Sequence, residues 1–158
     1  MAIEPVASLL TFFRDAVVSA TSKRKVKLRE PTTAYLAKML SEVAEGRHND
    51  LLHGSVVLAL DEAMNHGAGE QMLRLQSIGD ATLFAVSFFP ERLANGGQSA
   101  GLYVNLGAFA YGRAAQLAQY AGTNEPRVLL DLKEGFPKVV DVLAEVADSQ
   151  SLGAVTRD

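Results

Sequence analysis

Two charged side chains stand where charge is expensive. Asp80 is the one ionisable group in the apolar run GDATLFAVSFFP from Gly79 to Pro90, and Arg113 is the one cation in GLYVNLGAFAYGRAA from Gly101 to Ala115. A carboxylate buried without a partner is strongly unfavourable, so Asp80 must find a cation, several donors, or a proton. Arg113 suits it, because a forked guanidinium grips a carboxylate through two parallel hydrogen bonds. Tyr103 and Tyr111 can add hydroxyl donors. Such a set performs one of two tasks. It fixes the register of two helices as a structural pair, the favoured reading, or it forms the polar end of a small-molecule pocket between them. Asp80, Arg113, Tyr103 and Tyr111 are therefore the ligand-binding candidates.

His48, His53 and His66 lie near Asp50, Asp61 and Glu62, but the spacing is not HExxH. Glu62 and His66 are four apart, whereas the di-iron bundle pattern needs Glu-x-x-His twice. No metal ligand and no cofactor is implied. The chain has no GxSxG, no P-loop and no GxGxxG after a strand. The GGQSAG segment at a helix start could offer backbone donors to an anion, but reads first as an interhelical loop. Pairs such as Glu42 with Glu45, or Asp61 with Glu62, read as solvated helix faces. No catalytic residue is assigned, and the expectation is a protein that is not an enzyme. With no cysteine among 158 residues, disulfides, thiolate metal sites and cysteine nucleophiles are excluded.

Charge is unevenly spread. The net charge is −3, from 15 basic and 18 acidic residues, yet Lys23, Arg24, Lys25, Lys27 and Arg29 fall within TSKRKVKLRE. Without those five, ten basic residues face eighteen acidic ones, or −8. A basic cluster on an acidic body can meet phosphates, an acidic partner surface, or the protein's own acidic face. These five are the partner-binding candidates. Nucleic acid is a distant third reading, because no broad basic face exists and no aromatic residue interleaves the cluster.

These residues must be positioned by helices. Val6, Leu9, Leu10, Phe13, Val17 and Ala20 recur at steps of three and four, giving one apolar face after Pro5. Pro31 opens a second helix with Tyr35, Leu36, Met39, Leu40 and Val43 on one side, stopped by Gly46. A third is expected from Asp50 through Leu51, Leu52, Val56, Leu60 and Met64. A fourth covers Glu70 to Phe89, with Pro90 ending it or allowing one irregular turn. A fifth, capped by Ser99, ends before Gly122. A sixth follows Asn124 as PRVLLDLKE, and a last begins at Pro137. No window alternates as a strand between hairpin turns. The fold class is therefore all-α, a single-domain bundle of six or seven helices over residues 1–148, with 149–158 a flexible tail. The fifth helix, with small stripes through Gly101, Asn105, Ala108, Gly112 and Ala115 and through Gly107, Ala110, Ala114, Ala118 and Ala121, is expected at the centre. Glycines inside a helix cost roughly 1 kcal/mol each against Ala, so close packing must offset them. The same stripe could instead pair two copies of the chain.

The pattern GD-x-x-LF-x-x-x-FFP (Gly79, Asp80, Leu83, Phe84, Phe88, Phe89, Pro90), followed by YV-x-LG-x-x-AYG (Tyr103, Val104, Leu106, Gly107, Ala110, Tyr111, Gly112), resembles a group of uncharacterised bacterial all-helical proteins. YL-x-x-ML near Tyr35 and FP-x-VVDVL near Phe136 are similar to its flanking segments, so the likeness covers most of residues 8 to 147. It implies a single helical domain and supplies no activity. The start of the chain lacks the pattern of a secretory signal, and no apolar run approaches the roughly 20 residues of a membrane span. The expected protein is cytoplasmic and non-enzymatic. It binds a macromolecular partner through 23–29, as monomer or homodimer; the alternative is a small-molecule-binding domain with its pocket between the fourth and fifth helices.

Overall fold

The computed structural model describes residues 5–95, 99–121 and 126–157 in backbone, and the side chains of 9–93, 99–119 and 126–150. The described residues form one all-helical domain of nine helices, where six or seven were expected. They are α1 (Pro5–Arg24), α2 (Glu30–Ala44), α3 (Asn49–His53), α4 (Val56–Met64), α5 (Ala68–Phe88), α6 (Pro90–Asn95), α7 (Ala100–Ala121), α8 (Pro126–Glu134) and α9 (Phe136–Arg157).

The two extra helices have local causes. The expected third helix is cut at Gly54, whose backbone is extended, and Ser55 then caps α4 by accepting from the Leu58 N–H at 3.2 Å. Serine outside a helix satisfies one of the donors that a helix start leaves orphaned, so a new helix begins rather than the old one continuing. At Pro90 the chain restarts as α6, with proline in the first turn, where its missing N–H costs nothing. At the other end α9 runs from Phe136 to Arg157. The Gly96–Gly97 loop and the Asn124 cap lie outside the described residues.

The centre of the fold also differs from expectation. The Gly/Ala-rich α7 is not buried all round: Leu102 is 43% and Phe109 50% exposed. It is α5 that holds the middle, packing against α3, α4, α6, α7 and α9. The small residues of α7 form a seam on one side of that helix instead. A Cβ on Gly79 of α5 would stand 2.6 Å from the Tyr111 ring, and one on Gly107 of α7 would stand 2.5 Å from the Phe136 ring. Glycine thus brings two aromatic rings against neighbouring backbones, and Tyr111 and Phe136 are both fully buried. Around this seam the core continues through Leu36, Leu40, Leu75, Leu83, Leu129, Leu132 and Leu143.

The basic connection folds back on the protein. Lys25 adopts a left-handed conformation (φ 57°) that ends α1 and turns the chain. Lys23 and Arg24 then reach Glu145 of α9 at 3.2 and 3.0 Å, and Arg29 reaches Asp131 of α8 at 2.6 Å. Asp131 also accepts from Thr32 and pairs with Arg127. Lys25 and Lys27 are exposed and make no ion pair among the described residues. Among the described residues no helix is long and apolar enough to cross a membrane.

Candidate functional site

Asp80 sits in the middle of α5 and is buried, as its apolar surroundings in sequence require. Its partners are phenols. Tyr35 of α2 and Tyr111 of α7 each donate their hydroxyl to Oδ1 at 2.7 Å, and Gln76 donates to the Tyr35 oxygen at 3.0 Å. One carboxylate oxygen therefore ties three helices together, at the level where Gly79 admits the Tyr111 ring. Arg113 does not take part. Its Nε donates to Gln71 Oε1 at 3.3 Å and its Nη1 to Gln116 at 3.2 Å. Gln71 in turn donates to the His66 carbonyl at 3.0 Å, so this arginine braces the turn between α4 and α5. The expected Asp80–Arg113 pair is corrected to Asp80–Tyr35–Tyr111: Arg113 lies on the stretch of α7 facing Gln71, more than two turns of α5 before Asp80. Tyr103 is elsewhere too, beside a crevice of about 30 Å³ with Leu51, Ala81 and Leu93.

The second carboxylate oxygen faces a residue that sequence reasoning had set aside. Gly46 closes α2 at φ 96°, with Gly46 N–H on the Val43 carbonyl and Arg47 N–H on the Glu42 carbonyl, a Schellman stop. Two residues on, His48 is itself left-handed (φ 67°) and begins α3. This double turn carries its Nε2 to 3.7 Å from Asp80 Oδ2, where Nε2 is buried without a hydrogen bond. Burial lowers the His48 pKa from its ordinary value, so the imidazole is neutral at neutral pH and the contact is not an ion pair. Burial pushes Asp80 up to about 7, against the opposing hydrogen bonds of Tyr111 and Tyr35. Both tyrosines are raised well above 10, by burial first and by the Asp80 charge next, and remain donors. The cluster holds one exchangeable proton near neutrality. A groove of about 390 Å³ between α2 and α5, bordered by Lys38, Glu42 and Gln76, reaches Asp80 from outside.

On the same side of α5, one and two turns after Asp80, Phe84 and Phe88 stack with centroids 4.3 Å apart. They line an open cleft of about 370 Å³ with Phe13 of α1, Leu40 and Val43 of α2, and Leu52 of α3. Phe89, Arg92, His53 and Gln150 form its rim. The Arg92 guanidinium lies over the Phe89 ring, 4.9 Å from its centroid. A concave, mostly apolar surface of this size with few polar groups is the usual form of a small-molecule site.

Comparison with protein-family models, with curated proteins and with solved structures matches nothing to this chain. What the site can do must therefore be read from its own residues. Among the described residues no three of His, Asp and Glu converge to hold a metal ion. His66 pairs with Glu70 at 2.9 Å, not with Glu62, and His53 stands on the cleft rim. The Asp80 cluster has no nucleophile beside a base, since both phenols are spent on Oδ1. Its evident work is to couple α2, α3, α5 and α7, three of which build the cleft wall. Sequence reasoning missed Tyr35, His48 and the cleft itself. For Tyr35 a signal existed, because a phenol on an apolar helix face needs a partner for its hydroxyl.

Proposed function

We propose that the protein is a small-molecule-binding helical domain whose ligand occupies the cleft between α1, α2, α3 and α5. The observation that carries this reading is the stacked Phe84–Phe88 pair, open to a cleft of about 370 Å³ rather than closed over by core. Aromatic surface left in such a concavity favours an apolar guest by roughly 25 cal/mol for each Å² it covers. The location differs from the expected pocket between α5 and α7, where the fully buried Tyr111 closes the seam at Asp80.

A neutral apolar dye, N-phenyl-1-naphthylamine, tests the reading. Its fluorescence should rise on saturable binding to one site. Ala44, exposed on the cleft wall, can be enlarged without touching the core. Ala44→Trp should weaken dye binding at least tenfold while leaving the circular dichroism spectrum and Tm in place. Equal binding by wild type and variant would sink the reading. The interaction-protein reading has less to rest on, since Lys23, Arg24 and Arg29 are engaged with Glu145 and Asp131 inside the chain.

A further inference from the structure

We propose that the cleft takes an amphipathic monocarboxylate of about a dozen non-hydrogen atoms, its carboxylate held by Arg92 and its tail laid on Phe84 and Phe88. This rests on the cleft being a ligand site, and names the chemistry of the ligand.

The argument begins with the arginines. Arg14, Arg24, Arg29, Arg47, Arg74 and Arg127 each pair with an acid of the chain. Arg113 has the amide oxygens of Gln71 and Gln116. Among the described side chains, Arg92 is the one arginine with neither an ionic nor a hydrogen-bonding partner for its guanidinium, and it stands on the cleft rim. Among the described side chains no Asp or Glu borders the cleft, so no described carboxylate competes for its charge. Its plane is occupied instead by the Phe89 ring, which holds a guanidinium by its face and leaves the N–H edges free. Free edges in a fixed fork match the two oxygens of a carboxylate.

Size follows from volume. At about 30 Å³ for each water-sized group, 370 Å³ holds roughly twelve. The lining below the rim is hydrocarbon and aromatic, which suits an unbranched or aryl tail and excludes a second charge. A cation or a dianion would leave an unpaired charge in that lining, and a neutral chain would leave Arg92 unused.

Displacement of N-phenyl-1-naphthylamine from the full chain decides the matter, with decanoate, decanol and decylammonium as competitors. Decanoate should displace the dye at least tenfold better than decanol, and decylammonium should be weakest. Arg92→Gln should bring decanoate down to decanol once each is referred to the variant's own dye affinity, and Arg92→Lys should restore part of the preference. Dye binding with decanol and decanoate equal, or a preference that survives Arg92→Gln, would overturn the carboxylate assignment and leave the cleft as a ligand site. Failure of the dye itself to bind would remove both.

Discussion

Asp80 Oδ2 lies 3.7 Å from His48 Nε2, with both side chains 8% exposed and no hydrogen bond between them. The other oxygen of the same carboxyl is saturated by two phenols. One half of the group is thus bound firmly and the other meets a neutral imidazole that burial has left without a partner. Leaving polar atoms unpaired in a core is unfavourable by about 1–3 kcal/mol each, so the site is a concentrated source of pH dependence.

The direction of that dependence follows from the acid. The folded chain holds the Asp80 proton up to about pH 7, whereas the unfolded carboxyl, near 3.8, has released it. Stability from this site is full below about pH 4 and falls as pH rises towards 7, by at most about 1.4 kcal/mol per pH unit. His48 acts in the opposite sense, since its lowered pKa adds stability as pH rises towards 6.5. Glu42 raises both groups, and Arg47 lowers His48. Asp80→Asn keeps an acceptor for the phenols and removes the titration. Urea unfolding from pH 5 to pH 8 should show the variant gaining about 2–3 kcal/mol on wild type. Parallel curves would refute the assignment.

The partners of Asp80 can be separated by double-mutant cycles. Tyr35→Phe removes the donor of one hydrogen bond and Asp80→Asn weakens the same bond by taking the charge from its acceptor, so the two should couple by about 0.5–3 kcal/mol. Arg113→Gln and Asp80→Asn should add to within roughly 0.5 kcal/mol, because Arg113 belongs to Gln71 and Gln116. Tyr111→Phe removes a hydrogen bond that favours the charged carboxylate, so the carboxyl resonance of Asp80 should titrate at higher pH than in wild type. A coupled Arg113 cycle with an additive Tyr35 cycle would reverse this account.

Part of this site is legible in the chain, and the part that is not has a physical reason. Asp80 and Tyr111 stand out because a polar atom inside an apolar run must be satisfied. Tyr35 hides in the same kind of run, because the α2 face was counted by its rings and the hydroxyl was left out. His48 reaches the core only because Gly46 and, two residues on, His48 itself are left-handed, and no periodicity encodes that turn. The helix count fails at Gly54–Ser55 because Leu51, Leu52, Val56 and Leu60 keep their spacing across the break. Phe84 and Phe88 were visible as a motif, but a phenylalanine facing a cleft and one facing the core have the same letter. All-helical character needed only the three- and four-residue repeat, so it was plain throughout.

The basic segment separates into engaged and free charges. Arg29→Glu would set a like charge against Asp131, which also holds Thr32 and Arg127, and should lower stability by about 1–2 kcal/mol. Lys27→Glu, exposed and without an ion pair among the described residues, should change it by less than about 0.5 kcal/mol. Thermal unfolding at low and high salt distinguishes the two, since a screened surface term shrinks with salt. Equal losses would mean that the fold-back onto α8 contributes nothing.

Two glycines of α5 make opposite forecasts from one substitution. Gly69 has nothing within 4 Å of where a Cβ would stand, so Gly69→Ala should stabilise by up to about 1 kcal/mol through helix propensity. Gly79→Ala offers the same backbone gain but drives a methyl to within 2.6–2.9 Å of the Tyr111 ring, so one of the two must move. Tyr111 is fully buried and is held at its far end by Asp80, which leaves it little room to retreat. Overpacking of this kind costs about 1–3 kcal/mol and outweighs the propensity term. Gly79→Ala should therefore lower Tm while Gly69→Ala raises it. Because the displaced ring also loosens its hydrogen bond to Oδ1, the Asp80 carboxyl should titrate higher in Gly79→Ala, as it should in Tyr111→Phe. A Gly79→Ala protein that is more stable, with Asp80 titrating unchanged, would show that the α5–α7 seam is looser than these contacts require.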